Sequence, residues 1–237
     1  MSALRTPVRA LLVAAPALVA LGLSTSPASA ATTVASWEMN EGAGATTMAD
    51  SSGHGISGRI GGDVLTHSVS GGRTGYTFPF LKNGVPPTHP GHLVTVPADS
   101  QLNPGTGNFS VTMTLRFKPA ANGGNVMQKG QASSPGGYFK LEVDRGGISC
   151  LFRGTSGSAA VGTGTMSNDA FHTLTCSRTA TAVTMTVDGR VTATRRTATG
   201  SISNSAALTI GGKSSCNQRT VQCDYFSGSI DRVQISR

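Results

Sequence analysis

From Phe109 to Lys118 the chain alternates without a break. Phe109, Val111, Met113, Leu115 and Phe117 fall on one parity, and Ser110, Thr112, Thr114, Arg116 and Lys118 on the other. Successive side chains of a β-strand point to opposite faces, so such a run buries one face and wets the other. The pattern recurs: Phe139, Leu141 and Val143 alternate with Tyr138, Lys140, Glu142 and Asp144, and Val183, Met185 and Val187 with Thr184 and Thr186. No stretch beyond residue 30 holds the apolar period of an α-helix for several turns. The turn chemistry agrees. Asp188-Gly189 between two strand-like runs is a strong short hairpin signal, and Arg145-Gly146-Gly147 marks another reversal. Pro and Gly cluster over residues 86–91 and 103–107, which read as loops. Between Val34 and Ile235 lie roughly a dozen candidate strands with no linker dividing them, which predicts one all-β domain of two packed antiparallel sheets.

The first thirty residues do not belong to that pattern. Arg5 and Arg9 precede an apolar run from Ala10 to Leu23, and Ala28-Ser29-Ala30 fits the small-x-small cleavage rule. The run is shorter than the roughly 20 residues a spanning helix needs. We therefore expect residues 1–30 to be a cleaved signal peptide, and the exported, extracellular chain to begin at Ala31. Export sets the chemistry of the four cysteines, which in an oxidising compartment form disulfides. Three connectivities are possible. Cys150 and Cys176 are each in phase with apolar neighbours in strand-like runs, whereas Cys216 and Cys223 bracket a short polar loop. The expected pairs are Cys150–Cys176 and Cys216–Cys223.

Without its first thirty residues the chain keeps 17 basic and 11 acidic side chains, a formal charge of +6. The basic residues are scattered singly apart from Arg195-Arg196. Such a distribution suits attraction to anionic cell-wall polymers and argues against nucleic acid. No second apolar stretch follows the first, so no membrane span is expected.

Five segments in order resemble a known family. They are Trp37-Glu38-Met39-Asn40-Glu41-Gly42-Ala43-Gly44 with Asp50-Ser51-Ser52-Gly53-His54-Gly55; Asn108-Phe109-Ser110-Val111; Lys129-Gly130 with Gly137-Tyr138-Phe139; Phe171-His172 with Val187-Asp188-Gly189; and the closing Phe226–Ile235 run. Together they resemble the laminin G-like, concanavalin A-like lectin/glucanase jelly roll, in its secreted actinobacterial form. In this chain Phe171 stands where the family usually has Trp. The resemblance implies a concanavalin A-like sandwich over residues 31–237, one sheet concave, with the first and last strands adjacent. It does not imply one function, because the fold carries lectins, adhesion domains and glycosidases. It also raises a structural Ca²⁺, held by a last-strand carboxylate and groups near the first strand; Asp231 and Asp50 occupy the matching positions. The plainer reading is that Asp50 caps its own Ser-Ser-Gly turn and Asp231 bonds backbone amides. No other cofactor is implied.

Glycosidases of this fold use a strand motif E-x-D-x-(x)-E, whose alternation puts the carboxylates on one face. Glu142-Val143-Asp144 begins such a motif, but the second glutamate should fall at Gly146 or Gly147. A retaining mechanism needs two carboxyl groups about 5 Å apart. Only three glutamates occur, Glu38, Glu41 and Glu142. His54, His67, His89, His92 and His172 are scattered, and neither G-x-S-x-G nor H-E-x-x-H is present. No catalytic residue is assigned. A glycan face is expected instead, built from the outward parity of neighbouring strands: Arg116, Tyr138, Lys140, Glu142 and Arg153. Trp37, by its place and parity, is expected in the core. The sequence thus points to a secreted, non-catalytic, monomeric module for an extracellular glycan or cell-wall polymer. A glycoside hydrolase with an unrecognised site, and an adhesion domain binding protein, remain as alternatives.

Overall fold

The computed structural model describes residues 31–70, 72–82, 88–118, 124–166, 169–215 and 224–237. The expected signal peptide and the expected Cys216–Cys223 pair lie outside the described residues. Sixteen strands occur among those described: β1 Thr33–Trp37, β2 Thr47–Met48, β3 Gly58–Ile60, β4 Leu65–Ser70, β5 Arg73–Phe78, β6 Val94–Val96, β7 Phe109–Arg116 and β8 Asn125–Lys129 in the first half. The second half adds β9 Tyr138–Asp144, β10 Gly147–Gly154, β11 Gly157–Gly162, β12 His172–Arg178, β13 Val183–Val187, β14 Arg190–Arg195, β15 Leu208–Ile210 and β16 Gly228–Ser236. The strands beyond the expected dozen are mostly two or three residues long, too short to show a period.

Two antiparallel sheets result. Sheet A runs β14-β13-β12-β7-β16-β5-β4, with β1 also on β16, and sheet B runs β11-β10-β9-β8-β15-β6-β3-β2. The first and last strands pair as the resemblance implied, Trp37 opposite Val233. The inward parities are the expected ones. Phe109, Val111, Met113 and Leu115 of β7 meet Phe139, Leu141 and Val143 of β9 in one core. Rings of Phe109 and Phe139 interlock across the sheets at 5.2 Å. Cys150 of β10 and Cys176 of β12, both fully buried, join the two sheets by a disulfide.

The family-like motifs prove to be pieces of this frame. Trp37 is fully buried and its indole N–H donates to the Ile56 carbonyl at 2.7 Å. The Asp50 carboxylate accepts from the amides of Ser36, Ser52 and Ile56, each at 2.9 Å, and from the Ser52 hydroxyl at 2.8 Å. His172 and Asp188 meet at 2.6 Å, while Asp188 also accepts from the Thr173 amide at 2.9 Å. Asp188 and Gly189 both have positive φ, 48° and 79°, as a tight primed hairpin turn requires. At Gly137, φ is 84° and a Cβ would stand 2.2 Å from the Arg153 carbonyl oxygen, so only glycine fits.

Candidate functional site

The expected glycan face divides between the two sheets. Tyr138, Lys140 and Glu142 lie on β9 and Arg153 on β10, which are neighbours in sheet B; Arg116 lies on β7 in sheet A. The expectation that Arg116 joins the other four is therefore incorrect. Parity was right for all five residues. Which sheet a strand joins is a long-range outcome that parity does not encode.

On sheet B, the pairs Tyr138 opposite Arg153 and Glu142 opposite Ser149 set the side chains in two adjacent files. Lys140 is ion-paired with Glu142, and the Ser149 hydroxyl reaches the same carboxylate at 3.4 Å. Asp144 stands at the hairpin end beside Arg145. A pocket of about 210 Å³ opens at the Tyr138–Arg153 end, walled by Ser134, Gly136 and Thr155 among others.

Arg116 belongs to a larger cleft, of about 520 Å³, at one end of the outer face of sheet A. Register puts Thr77 of β5, Ser229 of β16 and Arg116 of β7 side by side. The hydroxyls of Thr77 and Ser229 are 2.9 Å apart. Asp169, from the turn before β12, receives the Arg116 guanidinium as a fork: Nε donates to Oδ1 at 2.9 Å and an η nitrogen to Oδ2 at 3.0 Å. The Arg116 hydrogen bond holds the Asp169 carboxyl below its usual range, against the opposing effect of burial. Asp169 has φ of 52°, a left-handed conformation that Asp adopts more readily than most non-glycine residues. Phe78 and Phe117 supply an apolar floor, and Phe80 stands 51% exposed at the rim with Lys118.

A second cation–carboxylate pair continues the same end of the molecule. Arg73 donates to Asp231 at 2.6 Å and lies over the Phe171 ring at 5.8 Å. That pairing bears on the calcium expectation. All the Asp50 oxygens are occupied by protein donors, and Asp231 faces a guanidinium. These residues do not fit a Ca²⁺ site, which needs free oxygen ligands. Among the described residues no group of three His, Cys, Asp or Glu side chains is placed to hold a metal. The plain reading of Asp50 as a turn cap holds, and Asp231 pairs with Arg73 rather than with backbone amides.

Sequence reasoning missed Phe80, Asp169, Thr77 and Ser229. Phe80 shares the parity of buried Phe78, and only Pro79 between them hints that the strand has ended. Asp169 sits in a loop with no spacing rule to Arg116. Neither signal could have identified the cleft.

The cleft offers an exposed ring, an apolar floor and fixed planar hydrogen-bonding groups. Such a combination is complementary in chemistry to a small polar molecule with one apolar face. No helix among the described residues is long and apolar enough to cross a membrane. The chain is similar in fold to the binding domain of paraclostridial mosquitocidal protein 1, at 13% identity and a TM-score of 0.62, over 86% of this chain and 48% of that one. It is also similar to the botulinum neurotoxin serotype D/C binding domain, at 11% identity and 0.64, over 86% and 48%. A third is the serotype D ligand-binding domain in complex with N-acetylneuraminic acid, at 11% and 0.61, over 86% and 47%. The chain spans about half the length of these structures. No curated protein matches it. Residues 90–237 match the laminin G-type family described as the concanavalin A-like lectin/glucanases superfamily, and with its sandwich of two antiparallel sheets the chain belongs to that superfamily.

Proposed function

We propose that this protein is exported, loses residues 1–30, and acts as a monomeric, non-catalytic module that binds extracellular carbohydrate in the sheet A cleft. The observation that carries the reading is the Arg116–Asp169 fork set beside the exposed Phe80 ring. A pyranose has an apolar C–H face and an edge of hydroxyls. The ring and floor cover the face, while the fork, Thr77 and Ser229 meet the hydroxyls. Because the fork orders Asp169 before any ligand arrives, less freedom is lost on binding. A solved neighbour that holds N-acetylneuraminic acid supports binding as a use of this fold. The engagement of Glu142 by Lys140, with glycine at the expected acid/base positions, favours binding over hydrolysis.

A glycan array probed with the Ala31–Arg237 protein tests the reading. We expect retention on a defined set of saccharides, lost on Asp169→Asn. Release of reducing sugar from β-glucan, xylan, agar or chitin, abolished by Glu142→Gln, would replace it with the hydrolase alternative.

A further inference from the structure

Gln128 of β8 lies on the outer face of sheet B, opposite Thr209 on one side and Lys140 on the other. Loops cover it to 5% exposure. Its amide nitrogen donates to the Gly130 carbonyl at 2.6 Å. A carbonyl only accepts, so the nitrogen must face Gly130 and Oε1 must point elsewhere. That oxygen has no hydrogen-bond partner among the described residues. A buried acceptor left so is uncommon and unfavourable.

Gln128 lines a cavity of about 100 Å³ together with Ser133, Ser134, Ala206 and Ala207. The space holds about three waters at roughly 30 Å³ each. A sugar ring does not fit there, whereas one compact substituent does. Ser134 is shared with the 210 Å³ pocket of Tyr138 and Arg153, so the two cavities adjoin. The Arg153 guanidinium has no partner among the described residues and is exposed.

We propose that these adjoining cavities form a second saccharide subsite, specific for a 2-acetamido sugar, whose acetamido group enters the smaller one. This rests on the glycan-binding reading but not on the sheet A cleft. The acetamido N–H donates to the orphaned Gln128 Oε1. Its methyl packs against Ala206 and Ala207, and its carbonyl accepts from the Ser133 or Ser134 hydroxyl. The ring then lies in the larger pocket beside Tyr138, with Arg153 donating to its hydroxyls. A free amine in place of the acetamide loses the carbonyl and methyl contacts and brings a second positive charge beside Lys213, which also lines the cavity.

The test is titration of the Ala31–Arg237 protein with chitotetraose and with its fully deacetylated analogue. Calorimetry gives affinity, and ¹H–¹⁵N spectra report the Gln128 side-chain amide. We expect chitotetraose to bind at least about tenfold more tightly than the amine. Gln128→Met and Ala207→Leu should each weaken chitotetraose about tenfold, with Val191→Ala, exposed on the β14 edge of sheet A and part of neither site, neutral. Ala207 is partly exposed, so its variant tests the cavity even if Gln128→Met fails to fold. Equal binding of the two oligosaccharides, full retention in Ala207→Leu, or a crystal showing only water at Gln128 with the sugar present would overturn the proposal. Loss on Phe80→Ala alone would overturn it too, while leaving the cleft reading standing. A blank glycan array would remove both.

Discussion

Lys129 is fully buried, yet its ammonium touches no carboxylate: it donates to the carbonyls of Asn204 and Ala206 and to the Asn204 side chain, at 2.8–3.2 Å, and Asp99 opposes the effect of burial only through longer-range attraction. Burial pulls its pKa down from 10.5 to about 8. Between those values the unfolded chain holds a proton that the folded chain has released. Stability must therefore climb from pH about 8 to about 10, by up to roughly 3 kcal/mol, and stay at its lower level below pH 8. Urea unfolding at pH 7.5 and pH 10 should show that rise, and Lys129→Met should abolish it. A second residue prediction concerns Asp50, which serves four protein donors. Asp50→Ala should cost about 2 kcal/mol or more, and neither Ca²⁺ nor a chelator should move the melting temperature of the parent protein. A calcium-dependent increase of several degrees would restore a metal role. At this scale the sequence was informative about folding residues. Trp37, Asp50, His172, Asp188 and Gly137 stood in recognisable motifs because a turn or a buried contact constrains them locally. Asp169 and Phe80 carried no such mark, since their partners come from distant strands.

Elements were legible wherever a run was long enough to have a parity. The inward files of β7, β9 and β13 follow directly from alternation, and the β9–β10 and β13–β14 hairpins from their Arg-Gly and Asp-Gly turns. Strands such as Val94–Val96 and Leu208–Ile210 escaped because three residues do not define a period. The same limit misplaced Arg116: alternation gives a strand two faces but not its neighbours. The Cys150–Cys176 bridge was found from phase, and the structure adds that it ties one sheet to the other. With the cysteines 26 positions apart, the chain-entropy account gives about 3 kcal/mol for the bridge. Replacing both cysteines with alanine should lower the unfolding free energy by about that amount and leave the strand content unchanged. A loss below about 0.5 kcal/mol would mean that the core alone holds the sheets together.

For the whole molecule, the fold was readable because five motifs and a continuous β pattern all agreed, whereas the cleft is assembled from β5, β7, β16 and the loop before β12. Function on this fold depends on such a site rather than on the sandwich. Export is tested by the mass of the secreted species, which should begin at Ala31; a terminus at Met1 would contradict it. Binding should also resist acid. Arg116 keeps Asp169 ionised below the usual carboxylate range, so affinity should be constant from pH 7 to about pH 4.5 and fall only as pH drops through the lowered value. The most direct measurement is calorimetric titration of the Ala31–Arg237 protein and its Asp169→Asn and Phe80→Ala variants with a saccharide retained on the array. We expect an affinity loss of about 10- to 100-fold for Asp169→Asn and about tenfold for Phe80→Ala. Unchanged affinity in both variants, with the saccharide still bound, would place the site elsewhere and contradict the assignment of the cleft.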